Sequence, residues 1–196
     1  MLILYELYQS GKVDINTANF YLTAGLSFFF PLVGLSYLSN KGMNISQILD
    51  QLGLSRDKLS IKFVFLGILI FFALFVLELM VNLVSTITNV TINTNVNLLL
   101  QSAPIWFYVF TAIIAPVNEE IFFRGVLVPR FGIVLSAIFF GLLHSSYDST
   151  FGIEIIAAII FGIIAGYVFK KSKSLYPSII AHVLLNSLAI FAFSMI

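Results

Sequence analysis

The chain has 196 residues, 60% hydrophobic and only 10% charged, with a mean hydropathy of +1.04 and a formal net charge of +1. Soluble domains carry about 25% charged residues, so this composition excludes a water-dispersed fold, and the near-neutral balance offers no case for nucleic-acid binding. Cysteine is absent, which removes disulfides, thiolate metal ligands and a cysteine nucleophile.

In chain order, the elements follow from apolar runs of the roughly 20 residues that a bilayer crossing needs. The opening stretch MLILYELYQSGKVDIN lacks a basic segment ahead of an apolar one, so it does not read as a cleavable signal peptide. The first span is Thr17 to Ser39, with Pro31 as an expected kink. A polar stretch, Asn40 to Lys62, follows. Within it Ile45, Ile48, Leu49, Leu52 and Leu54 predict a short amphipathic piece at the interface. The second span runs from about Ile61 to Thr86, with Glu78 near its outer end, where it is expected to reach the interface. Residues Thr88 to Asn97 read as an exposed loop, in which Asn89-Val90-Thr91 matches an N-glycosylation acceptor. The third helix covers about Asn97 to Val128, and Pro129 and Gly132 predict a turn after it. A short fourth span, Ile133 to Ser146, precedes a fifth at Phe151 to Phe169 and a sixth at Leu175 to Phe193. Asp148 and Glu154 are expected to be solvated beside the outer loop, and Tyr147, Trp106 and Tyr108 to join interfacial aromatic belts.

The expected fold is therefore all-α and polytopic, with about six transmembrane helices. Residues 1–103 form an N-terminal two-span region with its amphipathic loop, and residues 104–196 form a four-helix core. Lys41, Arg56, Lys58 and Lys62 lie in the first connection, Arg130 in the third, and Lys170, Lys171 and Lys173 in the fifth. The second and fourth carry no Lys or Arg. The positive-inside rule then puts the three basic connections in the cytoplasm and both termini outside. Lys12 runs against this pattern.

Polar residues at depth carry the functional signal. From Leu79 to Asn118 no residue is charged; then Glu119, Glu120 and Arg124 arrive together. Ionised groups within a bilayer are costly and are taken as functional by default. On a helix Glu120 and Arg124 are four apart and share a face, whereas Glu119 is turned about 100° away. One carboxylate can then be neutralised by arginine while the other exchanges protons. The alternative is an ion cluster that only locks helices together. The two histidines, His144 and His182, also fall inside apolar segments. His144 closes the string from Phe140, where a plain interhelical contact is the simpler reading. His182 and Asn186 share one helix face, an arrangement that fits two donors to a developing negative charge and equally fits helix–helix contacts. Glu119, His144 and His182 also make a ligand set that zinc accepts in catalytic sites. No Walker loop, dinucleotide fingerprint, HExxH or GxSxG string occurs, so no nucleotide is expected.

Glu119-Glu120-Ile-Phe-Phe-Arg124, Phe140-Gly-Leu-Leu-His144 and His182-Val-Leu-Leu-Asn186 match, in order, EExxxR, FxxxH and HxxxN motifs. The set resembles the CAAX prenyl protease type II and bacteriocin-processing family, also called CPBP or ABI, over about Pro104 to Ser194. The resemblance implies an intramembrane endopeptidase built on a four-helix catalytic bundle, acting on a membrane protein or peptide that can be lipidated. By that resemblance Glu119 would activate water with help from His144, and His182 and Asn186 would form the oxyanion site. Glu120, Arg124 and Phe140 would support them. Both metal-dependent and metal-free glutamate mechanisms are attached to the family; the metal-free one is preferred here. Some members are scaffolds or immunity proteins without demonstrated cutting, which is the alternative function.

Overall fold

The computed structural model describes residues 10–11, 14–88, 103–147 and 153–194. The N-glycosylation pattern at Asn89, the first residues of the expected third helix and Asp148 lie outside the described residues, as do the side chains of Tyr147 and Glu154.

All regular structure among the described residues is helical. Helix α1 is Ile15–Asn40. Asp14 caps its N-terminus by accepting from the Thr17 amide at 3.0 Å, and Pro31 sits inside it without ending it. Helix α2, Ile45–Gln51, is the expected amphipathic piece. It opens on a capping box, in which the Asn44 and Gln47 side chains each accept from the other's backbone amide. Helix α3 is Ile61–Thr88, and Glu78 stands exposed on it.

An unbroken apolar run then covers Ile105–Leu143, far more than one crossing requires. At Gly132 the backbone turns to φ 81° and ψ 174°, in the region glycine occupies at no steric penalty. The run therefore divides into α4 (residues 105–131) and α5 (residues 133–143), and the two fold back on each other. Phe123 and Phe140 are 17 positions apart, about 25 Å along a straight helix, yet their ring centroids are 5.1 Å apart. The turn expected at Pro129 and Gly132 is thus present, although helical geometry resumes directly after Gly132. Helix α6 is Ile153–Ser172 and α7 is Tyr176–Ser194. Each of the six apolar segments read from the sequence has a helix. Four stretches, Asn16–Asn40, Ile61–Thr88, Ile105–Leu143 and Ile155–Ser172, are long and apolar enough to cross a membrane, and Tyr176–Ala192 is a shorter apolar helix.

Contacts at three levels show that α1 and α4 run parallel. The Phe20 and Phe107 rings lie 4.6 Å apart, the Asn118 amide donates to Ser27 at 3.3 Å, and Gly34 meets Val126. Helices α5 and α6 approach closely because Gly162 and Gly141 have no side chain: a Cβ on Gly162 would fall 2.8 Å from that of Ala137. Two cores result. Ile70, Leu74, Phe123, Phe140, Phe161 and Ala181 fill the middle of the bundle, and Leu38, Leu52, Val126, Val128, Phe169 and Leu175 fill one end. Leu52 is buried in that end core whereas Ile45 is 77% exposed, so the amphipathic loop plugs the bundle with one edge only.

The same end gathers the basic connections. Leu175 N–H donates to Gly53 O, Ser174 Oγ to Lys58 O and Tyr176 Oη to Leu54 O. These bonds tie the first connection to the fifth. Arg130, in the third, lies over Tyr37 at the end of α1. The three connections that carry Lys and Arg therefore meet at one pole, as alternation of charge requires.

Candidate active site

Two wide turns shape the helix that carries the glutamate pair. Residues Phe110–Ile114 and Ile121–Leu127 are π-helical, so they bond one residue further along than an α-helix does; such turns are frequent at functional sites. In the first, Ala115 N–H bonds to Phe110 O. Thr111 O would take its hydrogen from residue 115 or 116, but Ala115 is committed elsewhere and Pro116 has no N–H. Asn186 of α7 fills the gap: its Nδ2 donates to Thr111 O at 2.9 Å. In the second, Phe123 O accepts from the Val128 amide and from Ser136 Oγ of α5 at 2.8 Å. The carbonyls at the wide turns thus receive side chains from α5 and α7, and those bonds fix α4 in the bundle.

Between the two turns sit Glu119 and Glu120. Glu120 is fully buried, with Oε1 3.0 Å from Arg124 Nη1 and 3.0 Å from His182 Nδ1. Arg124, 1% exposed, lies between the faces of Phe140 and Phe161, its guanidinium 4.3 Å and 4.8 Å from their centroids. Aromatic faces are a favourable seat for a desolvated guanidinium. The Glu120 side chain thus accepts rather than donates, and the hydrogen between it and His182 belongs to Nδ1. The other ring nitrogen, Nε2, faces Glu119 Oε2 at 3.8 Å. Glu119 keeps 17% of its side chain exposed, so it is the member of the pair with surface left to meet a reactant.

His144 also packs against Phe140. The Phe140 ring is 4.6 Å from that of His144 and 5.8 Å from that of His182, so both imidazoles border one aromatic ring. His144 Nδ1 is 2.9 Å from Phe140 O. A carbonyl only accepts, so Nδ1 carries the hydrogen and, in the neutral ring, Nε2 is the acceptor. Among the described residues no three His, Asp or Glu side chains are grouped as a metal site.

The structure brings Glu119, Glu120, Arg124, Phe140 and His182 together and sets His144 against Phe140. Asn186 makes the helix–helix contact that the sequence offered beside an oxyanion role. One of its amide hydrogens is already given to Thr111 O. Sequence reasoning missed the link from Glu120 to His182, which joins residues 62 positions apart. It also missed Phe161, which lies 4.8 Å from the His182 ring and against Arg124. Pro116 was the one available sign of a spare carbonyl on α4.

An apolar groove of about 430 Å³ adjoins this site, lined by Phe30 of α1, Phe122, Phe123 and Leu127 of α4, and Phe139, Leu142 and Leu143 of α5. Phe123 packs on Phe140, and Leu143 precedes His144, so the inner end of the groove is one ring away from both imidazoles.

Residues 101–188 match the family model described as type II CAAX prenyl endopeptidase Rce1-like. The segment is Rce1-like. It is the family that the three motifs resemble, and it contains all of the polar residues that meet around Phe140. No curated protein and no solved structure matches the chain. The Rce1-like segment begins just before α4 and ends within α7, so the contacts from α1 to α3 lie beyond it.

Proposed function

We propose that the chain is an intramembrane endopeptidase that hydrolyses a peptide bond of a membrane-associated protein or peptide by glutamate-activated water. The observation that carries this is the unequal treatment of the two carboxylates. Glu120 is buried against Arg124 and holds His182 by Nδ1, while Glu119 is partly exposed and faces Nε2 of the same ring. In this reading Glu119 takes a proton from water, assisted by the acceptor nitrogen of His144, and the hydroxide attacks the scissile carbonyl. The oxyanion lies at the Nε2 edge of His182 and accepts the second hydrogen of the Asn186 amide. Loss of one such donor typically lowers kcat about 100- to 1000-fold. The proton held on Glu119 then passes to the leaving amine. Glu120, Arg124 and Phe140 position these groups without touching the reacting atoms. No metal enters this scheme.

The apolar groove supports a substrate carrying a lipid or apolar segment, since an aliphatic chain in it would place the adjoining peptide beside Phe140. The pole with the basic connections faces the cytoplasm, and both termini face outward. Residues 104–196 would supply the chemistry, with residues 1–103 closing one side of the groove through Phe30.

A second reading has its own support. Glu120, Arg124 and Asn186 all spend contacts on protein groups, as a non-proteolytic scaffold or immunity protein would require. Purified full-length chain separates the two. With a membrane-tethered fluorogenic peptide, wild type cuts and Glu119→Gln loses at least 100-fold while unfolding at the same temperature. Full cleavage by Glu119→Gln would overturn the assignment. Zinc present at one equivalent and lost on chelation together with activity would overturn its metal-free form.

A further inference from the structure

We propose that Tyr37, Lys41 and Arg130 form a site for the phosphate of an anionic lipid headgroup, at the basic pole and separate from the residues around Phe140. Lys41 Nζ lies 4.9 Å from the centroid of the Tyr37 ring and the Arg130 guanidinium 4.3 Å from the same centroid. Lys41 follows the last residue of α1, and Arg130 stands two residues before the Gly132 break. Both are therefore at the depth where a bilayer places its phosphates, and basic pockets between helices at that depth bind anionic headgroups.

A lone cation at a helix C-terminus is ordinary, because it complements the helix dipole. Two cations converging on one ring are not explained that way, since they repel each other. Among the described residues neither has a carboxylate partner: the ion pairs are Lys58 with Asp57, Arg124 with Glu120, and His182 with the two glutamates. Arg130 Nη1 donates to Val126 O of its own helix, while its Nε is buried and meets no acceptor. An anion beside Tyr37 relieves the repulsion between the two cations. Arginine matches phosphate with a planar fork of donors, and lysine adds a mobile point charge. The shared chemistry is a phosphate oxyanion; the position beside the end of two spans favours a phospholipid over free phosphate.

Native mass spectrometry of the full chain in detergent tests this with phosphatidylglycerol and phosphatidylcholine at equal concentration. Wild type should retain phosphatidylglycerol in preference to phosphatidylcholine. The Lys41→Gln/Arg130→Gln variant should lose that preference by about thirtyfold, each cation near an anionic surface being worth about fivefold. Lys41→Gln alone, at an exposed position, should lose about fivefold and guards against misfolding of the double variant. Lys62→Gln removes a charge that rests on Phe63 instead and should change nothing. Equal retention by the double variant, or an equal loss in Lys62→Gln, would overturn the site. Displacement of the lipid by millimolar inorganic phosphate would overturn the lipid as its occupant.

Discussion

At the scale of single residues, Glu119 and Glu120 are neighbours in sequence with opposite environments. The i, i+4 spacing made the Glu120–Arg124 pair legible, because that geometry is local. The contact of Glu120 with His182 was not legible, since nothing within α4 specifies which nitrogen of a ring on α7 approaches it. Substitutions should separate the two carboxylates. Arg124→Ala leaves Glu120 buried without its counter-charge and opens the space between Phe140 and Phe161. Removing one partner of a buried pair typically destabilises by about 3–5 kcal/mol, so thermal unfolding in detergent should fall steeply. Glu119→Gln keeps the shape of a partly exposed group and should change stability by less than about 1 kcal/mol. If both variants unfolded alike, the division of roles between the carboxylates would fail. Ser136→Ala removes the second hydrogen bond to Phe123 O inside a buried wide turn. It should cost about 1 kcal/mol while leaving the charged groups untouched, measured in the same unfolding assay.

The helices themselves were largely legible, because a run of some 20 apolar residues bounded by Gly, Pro or charge leaves little freedom in a bilayer. Ile61–Thr88 and Tyr176–Ser194 lie within a few residues of expectation. The π turns were not legible. Each adds one residue to a turn, and in a segment that is largely apolar apart from Glu119, Glu120 and Arg124 this leaves no trace in the hydrophobic pattern. The reversal after α4 was signalled by Pro129 and Gly132, and it depends on the glycine. A side chain at φ 81° is strained although no atom lies within 4 Å of the added Cβ. Gly132→Ala should therefore destabilise by about 1–3 kcal/mol through backbone strain alone. Gly162→Val acts differently, since its side chain would run into Ala137. It should force α5 from α6 and abolish cleavage as well as lower stability. A Gly162→Val protein as stable as wild type would show that the helices do not need this approach.

Across the whole molecule, charge distribution and contact geometry agree about sides. Basic residues in alternate connections predicted one face, and the bonds from residues 53–58 to residues 174–176 place two of those connections together. What the sequence left open was how the amphipathic loop meets the bundle, because Leu52 looks the same at an interface as in a core. Since the chain has no cysteine, single cysteines report sidedness without background. Arg56→Cys and Lys170→Cys should be shielded from an impermeant maleimide added to intact cells and labelled once the membrane is opened. Ser145→Cys, exposed just beyond α5, should be labelled from outside. Reversal of all three would turn the protein over and leave the fold intact, moving the reaction to the other side of the membrane. Labelling of Arg56→Cys and Lys170→Cys from opposite sides would contradict the bonds that join their connections, and with them the arrangement that holds α7, and so His182, against Glu120.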